Sequence, residues 1–147
     1  MNNRHLHIVI YLLFSGCVRM DTERAISSDH CIISPEGKEW ILEPSFISRG
    51  RSTYLLLDVE KGWETEPPWK NVVRDGEKIK IEAQLEDKNG KIYLSGIVGS
   101  QHGVEGHKID LRFSNDLPRY TEVKKIRLFS SQDFSVKNIS LRSRNFL

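Results

Sequence analysis

Two imidazoles and a carboxylate fall close together in Ser100-Gln101-His102-Gly103-Val104-Glu105-Gly106-His107. Imidazole nitrogens and carboxylate oxygens are zinc ligands, and a zinc site needs three or four of them to converge. His102 and His107 would supply two and Glu105 a third, the makings of a small metal-assisted hydrolase. Gly103 and Gly106 work against it, because a flexible loop holds such geometry poorly without supporting hydrogen bonds. The plainer reading, a solvent-exposed hairpin loop carrying incidental histidines, is preferred, and no metal or cofactor is expected.

A second group is Gly62-Trp63-Glu64-Thr65-Glu66-Pro67-Pro68-Trp69, where two indoles flank acids and a stiff Pro-Pro pair. Exposed indoles stack on sugar rings or anchor a protein partner, burying much area at little entropic cost. A long loop can equally fold its own tryptophans over the end of a β-domain. Trp63 and Trp69 are therefore ligand-binding candidates with a capping role as the alternative. Glu64 and Glu66 could pair in space, but spacing alone does not show the separation on which carboxylate chemistry depends. Ser95 and Ser100 lack the glycines of a G-x-S-x-G elbow, and the chain has no H-E-x-x-H and no phosphate-cradling G-x-x-x-x-G-K. No covalent chemistry is expected.

The two thiols, Cys17 and Cys31, differ in context. Ahead of Cys17, Met1 to His7 carry Arg4 with His5 and His7, Ile8 to Phe14 form an apolar run, and Ser15 and Gly16 are small. That order is the pattern of a secretory signal. The run is well short of the roughly 20 residues a spanning helix needs. The string Leu13-Phe14-Ser15-Gly16-Cys17 resembles the lipobox of bacterial lipoproteins. The resemblance implies a signal peptide over residues 1–16, lipid attachment to the Cys17 thiol, cleavage before it and acylation of the new amino group. Such an anchor is additive in its methylenes, about 0.8 kcal/mol each, so two or more chains hold stably. With Val18 rather than Asp after the cysteine, the resemblance places the protein in the cell envelope, at the outer membrane facing the periplasm. Cys31, in Cys31-Ile32-Ile33, reads as a small buried hydrophobe at the start of a strand.

Removal of the first 16 of 147 residues leaves 131, one domain able to bury a real core. The leader holds Arg4 and no acid, so 22 Lys and Arg against 20 Asp and Glu become 21 against 20, a formal charge of +1. That balance gives no support for a nucleic-acid partner, which wants a basic stripe. No polybasic segment lies beside the anchor to clamp anionic lipid. Residues 17–29 are polar, of mixed charge and without apolar periodicity, and read as the lipidated cysteine and a tether.

From residue 30 to 147 the dominant signal is period-two alternation. It is clearest in Lys78 to Glu86, where Ile79, Ile81, Ala83 and Leu85 share a face. Asn89-Gly90 suits a two-residue type I′ turn, which would set Leu85 opposite Leu94 and Ile81 opposite Val98. Tyr54-Leu55-Leu56-Leu57 is apolar on both parities and predicts a central strand covered on both sides. Phe134 and Val136 share one parity, Ile139 and Leu141 the other, so a bulge is expected near Lys137-Asn138. Seven to nine short strands with no amphipathic helix predict an all-β, antiparallel β-sandwich or jelly-roll-like single domain. Three functions follow in order of preference: a lipid-anchored envelope module binding a protein or carbohydrate partner, a periplasmic immunity protein neutralising a secreted toxin, and the metal-assisted hydrolase.

Overall fold

The computed structural model describes residues 23–48, 52–103, 106–113 and 117–144. Its strands are β1 (Glu23–Ser27), β2 (Cys31–Ile33), β3 (Lys38–Ile47), β4 (Ser52–Val59), β5 (Glu64–Glu66), β6 (Asn71–Arg74), β7 (Glu77–Asp87), β8 (Ile92–Gly103), β9 (Gly106–Phe113), β10 (Glu122–Ser130), β11 (Phe134–Val136) and β12 (Asn138–Arg144). The main sheet runs β1-β12-β4-β9-β8-β7-β10-β3, every neighbouring pair antiparallel, with the β5–β6 hairpin laid beside β7 and β2 paired to β11. The all-β, antiparallel, single-domain expectation is met. The two layers are opposite walls of one continuous sheet that curls into a nearly closed barrel.

An even number of antiparallel strands brings the two edges, β1 and β3, together in opposite directions, as closure requires. They are not laddered. Arg24 bridges them instead, its guanidinium donating to the carbonyl of Pro44 and, at 3.3 Å, to that of Ser45, while stacking over Phe46 at 5.8 Å. Register shifts at Ile26 in β1, Gly96 in β8 and Lys124 in β10 supply bulges that increase the local twist the barrel needs.

The core follows the alternation. Ile79, Ile81, Ala83 and Leu85 of β7 are all buried, as are Leu55 and Leu57, Ile109 and Leu111, and Val123, Ile126 and Leu128 on the strands facing them. Each such aliphatic contributes about 1.5–3 kcal/mol on leaving water. The run Thr53 to Leu57 is buried on both parities, between β12 and β9. On its outer side Tyr54 lies in register between Arg142 and Arg112, and Leu56 floors a cleft of about 210 Å3 framed by Glu23, Lys108, Asn138 and Arg142. The parity switch at Lys137 is also present. It divides the last segment into β11, which pairs with β2, and β12, which pairs with β1 and β4, and it turns Phe134, Val136, Ile139 and Leu141 all inward.

Three expectations are corrected. Residues 23–27, read as tether, form β1: Glu23 pairs with Arg142 in the ladder and through an ion pair at 2.8 Å, so an edge strand of mixed charge is held by its neighbour rather than by its own apolar pattern. Asn89-Gly90 does not form a two-residue turn. The Asp87 carboxylate accepts the amides of Asn89 at 2.8 Å and Lys91 at 3.0 Å, and Asp87 N–H donates to the Lys91 carbonyl. The loop is therefore Lys88-Asn89-Gly90, with Gly90 at φ +82°, and Leu85 faces Tyr93 while Leu94 faces Gln84. A slip of one residue inverts every side chain: Tyr93 is buried, and Ile92 and Leu94 are exposed. The type I′ turn lies instead at Asp75-Gly76, with φ +51° and +81°, joining Arg74 to Glu77.

Candidate functional site

The two tryptophans part company. Gly62 at φ +100° turns the chain so that Trp63 points inward, where it is buried against Phe134 in an edge-to-face contact with centroids 5.1 Å apart. Arg74 lies over the other side of the indole at 4.4 Å and is held by Glu60 at 2.9 Å; that hydrogen bond and charge keep the Glu60 carboxyl below its ordinary range. Trp63 is thus part of the core at the barrel end. The ligand-binding candidacy of Trp63 is withdrawn in favour of capping, because an indole without solvent access meets no ligand.

Trp69 is exposed, 46% of its surface facing water. Its backbone is pinned on both sides: its N–H donates to Glu66 at 2.8 Å and its carbonyl accepts from Val98 of β8 at 2.7 Å. It also holds φ +62°, a left-handed conformation unusual for a bulky side chain. Beside it runs a groove of about 240 Å3 lined by Lys70, Lys80, Glu82, Leu94, Ser95 and Gly96. The groove exists because β7 and β8 separate beyond Gln84–Leu94, where Ser95 Oγ takes the Ala83 amide at 2.9 Å in place of a backbone carbonyl. Leu94 at the groove and Ile92 two residues before it lie on the outer face of β8, with 51% and 52% of their surfaces exposed.

His102 and His107 are register partners across β8 and β9, and Glu105 lies outside the described residues. Among the described residues no three His, Cys, Asp or Glu converge as a metal would require. His30 engages the Ser135 hydroxyl elsewhere. Cys31 is buried in β2, opposite Val136, and burial pushes its thiol up, against a smaller opposing effect of Lys38. The protonated thiol is a poor nucleophile. Cys17 lies outside the described residues. The signal that could have found these exposed aliphatics was Asp87, whose carboxylate sets the loop length and so puts Ile92 and Leu94 outside.

No family model, curated protein or solved structure matches the chain.

Proposed function

We propose that this protein is a lipid-anchored module of the bacterial cell envelope, facing the periplasm, that binds a protein partner through the Trp69–Leu94–Ile92 stripe. The observation that carries the binding role is Trp69 itself: an exposed indole held in a left-handed backbone that glycine would adopt more easily. A backbone cost of this kind, of order 1 kcal/mol, points to a use for the side chain. The neighbouring exposed aliphatics add apolar area, and exposed patches of that type are interaction sites more often than accidents. The anchoring half rests on Leu13-Phe14-Ser15-Gly16-Cys17 and on the short distance in sequence from Cys17 to β1.

The test is capture from envelope extract by wild type and by Trp69→Ala/Leu94→Ser, with melting temperatures measured alongside. Partners recovered by wild type and lost by the equally stable variant support the assignment; retention of every partner overturns it. Mass spectrometry of the membrane fraction tests the anchor separately, a lipidated peptide beginning at Cys17 supporting it and an intact Met1 terminus refuting it.

A further inference from the structure

The alternation of strand directions sorts the barrel's connections between its two ends. The β3–β4, β7–β8 and β9–β10 connections, the start of β1 and the finish of β12 share one end. Cross-contacts tie it together: Tyr120 N–H donates to the Ser48 carbonyl at 2.7 Å and Lys88 N–H to the Glu122 carbonyl at 3.0 Å.

Among the described residues this end is cationic. Lys88 and Lys91 come from one connection, Arg119 from another, Lys124 from the start of β10 and Arg144 from the close of β12, and all five are exposed. Three of its acids are already engaged, while Glu43, in the β3 segment opposite Lys124, is exposed. Glu122 accepts from Ser45 at 2.7 Å and pairs with Lys88 at 3.5 Å and Lys124 at 3.6 Å; Asp87 holds the loop amides and the Tyr93 hydroxyl; Glu23 is held by Arg142. The opposite end mixes Glu60, Asp75, Glu77 and Asp133 with its cations. Tyr120 projects from the cationic end, 60% exposed and at φ +63°, an amphipathic ring of the kind that settles at the headgroup level of a bilayer.

We infer that this end of the barrel is a docking face for anionic phospholipid headgroups, with Lys88, Lys91, Arg119, Lys124 and Arg144 supplying the charge and Tyr120 the interfacial contact. The inference rests on the lipid-anchor reading above. Only residues 18–22 separate Cys17 from Glu23, and so short a link spans at most about 20 Å when fully extended. Because β1 starts at the cationic end, the anchor itself brings that end to the membrane. Surface charges act over about 8–10 Å at physiological salt, and a link of this length lets the cationic end approach the headgroups to within that distance. A soluble polyanion would have no reason to coincide with the point where the chain enters.

The experiment uses the full lipoprotein reconstituted into vesicles of phosphatidylcholine alone or of phosphatidylcholine with phosphatidylglycerol, read by amide hydrogen exchange. Residues 88–91 and 117–124 should slow on the anionic vesicles only, less so at high salt. Each basic residue is worth about fivefold in occupancy of an anionic surface, so Arg119→Glu/Arg144→Glu should abolish the protection while leaving the melting temperature unchanged. Equal exchange on both vesicles, with Cys17 shown to be lipidated, overturns the docking face and leaves the anchor standing. Protection by heparin in solution without protection on anionic vesicles reassigns the face to a soluble polyanion and overturns the inference likewise. An unlipidated Cys17 removes the anchor reading and the docking face together.

Discussion

Replacing Trp63 by alanine separates the core indole from the exposed one. Trp63 is 5% exposed, meets Phe134 edge-on and carries Arg74 on its face. Truncating a buried Trp to Ala costs about 3–5 kcal/mol, a range that already includes most of the roughly 0.5–1.5 kcal/mol attributable to an aromatic pair. Loss of the partly exposed Arg74 contact adds about 0.5–1 kcal/mol, which places the total near 5 kcal/mol. For a domain of this size that is a fall of roughly 15–25 °C in melting temperature, followed by circular dichroism and checked by urea titration. Trp63→Phe keeps a ring against Phe134 and should lose about half as much, giving a measurable value if the alanine variant does not fold. A melting temperature for Trp63→Ala within about 3 °C of wild type would refute the placement of Trp63 in the core.

The exposed indole should behave in the opposite way: Trp69→Gly relieves a left-handed backbone and is expected to hold or raise stability by up to about 1 kcal/mol while abolishing partner capture; a clear loss of stability in thermal melts would contradict the surface assignment. Gly99→Ala should destabilise by about 1–3 kcal/mol, because a Cβ there overlaps Asp110 Oδ1. In an Asp110→Ala background the same change should cost distinctly less, and a double-mutant cycle by urea unfolding measures the difference. Glu122 is held below its ordinary range by the Ser45 hydroxyl and then by Lys124 and Lys88. Its contribution is therefore full above the unfolded pKa and lost as pH falls through the folded one; melting temperatures taken between pH 7 and pH 3 should fall less steeply at the acid end for Glu122→Gln than for wild type. Cys31 should react with a thiol reagent slowly in the native protein and rapidly in urea, since it is buried and its thiol is pushed up; fast native labelling would show an opening at β2.

Much of the architecture was legible because period-two alternation is a local property of strands. Ile79 to Leu85 declared an inward face, the doubly apolar Tyr54 to Leu57 declared a central strand, and the parity change between Val136 and Ile139 marked where the chain crosses from one ladder to another. The β7–β8 register was not legible, because either pairing offers aliphatics to the core. The choice falls to the Asp87 carboxylate, which gathers the loop amides. Strand β1 was missed for a related reason: an edge strand of mixed charge carries no apolar period, and its state depends on β12 lying alongside.

The sequence by itself determined a lipobox-like string ending at Cys17, the strand alternation of an all-β domain, and two tryptophans needing an explanation, since each is written in neighbouring residues. Tertiary structure alone decided which indole is buried, which residues of β8 face water, and that a chain without a polybasic stretch carries a basic surface. Lys88, Arg119, Lys124 and Arg144 are far apart in sequence and share one barrel end because antiparallel strands return there. Charge acts through space, so its clustering follows from the fold rather than from the order of residues.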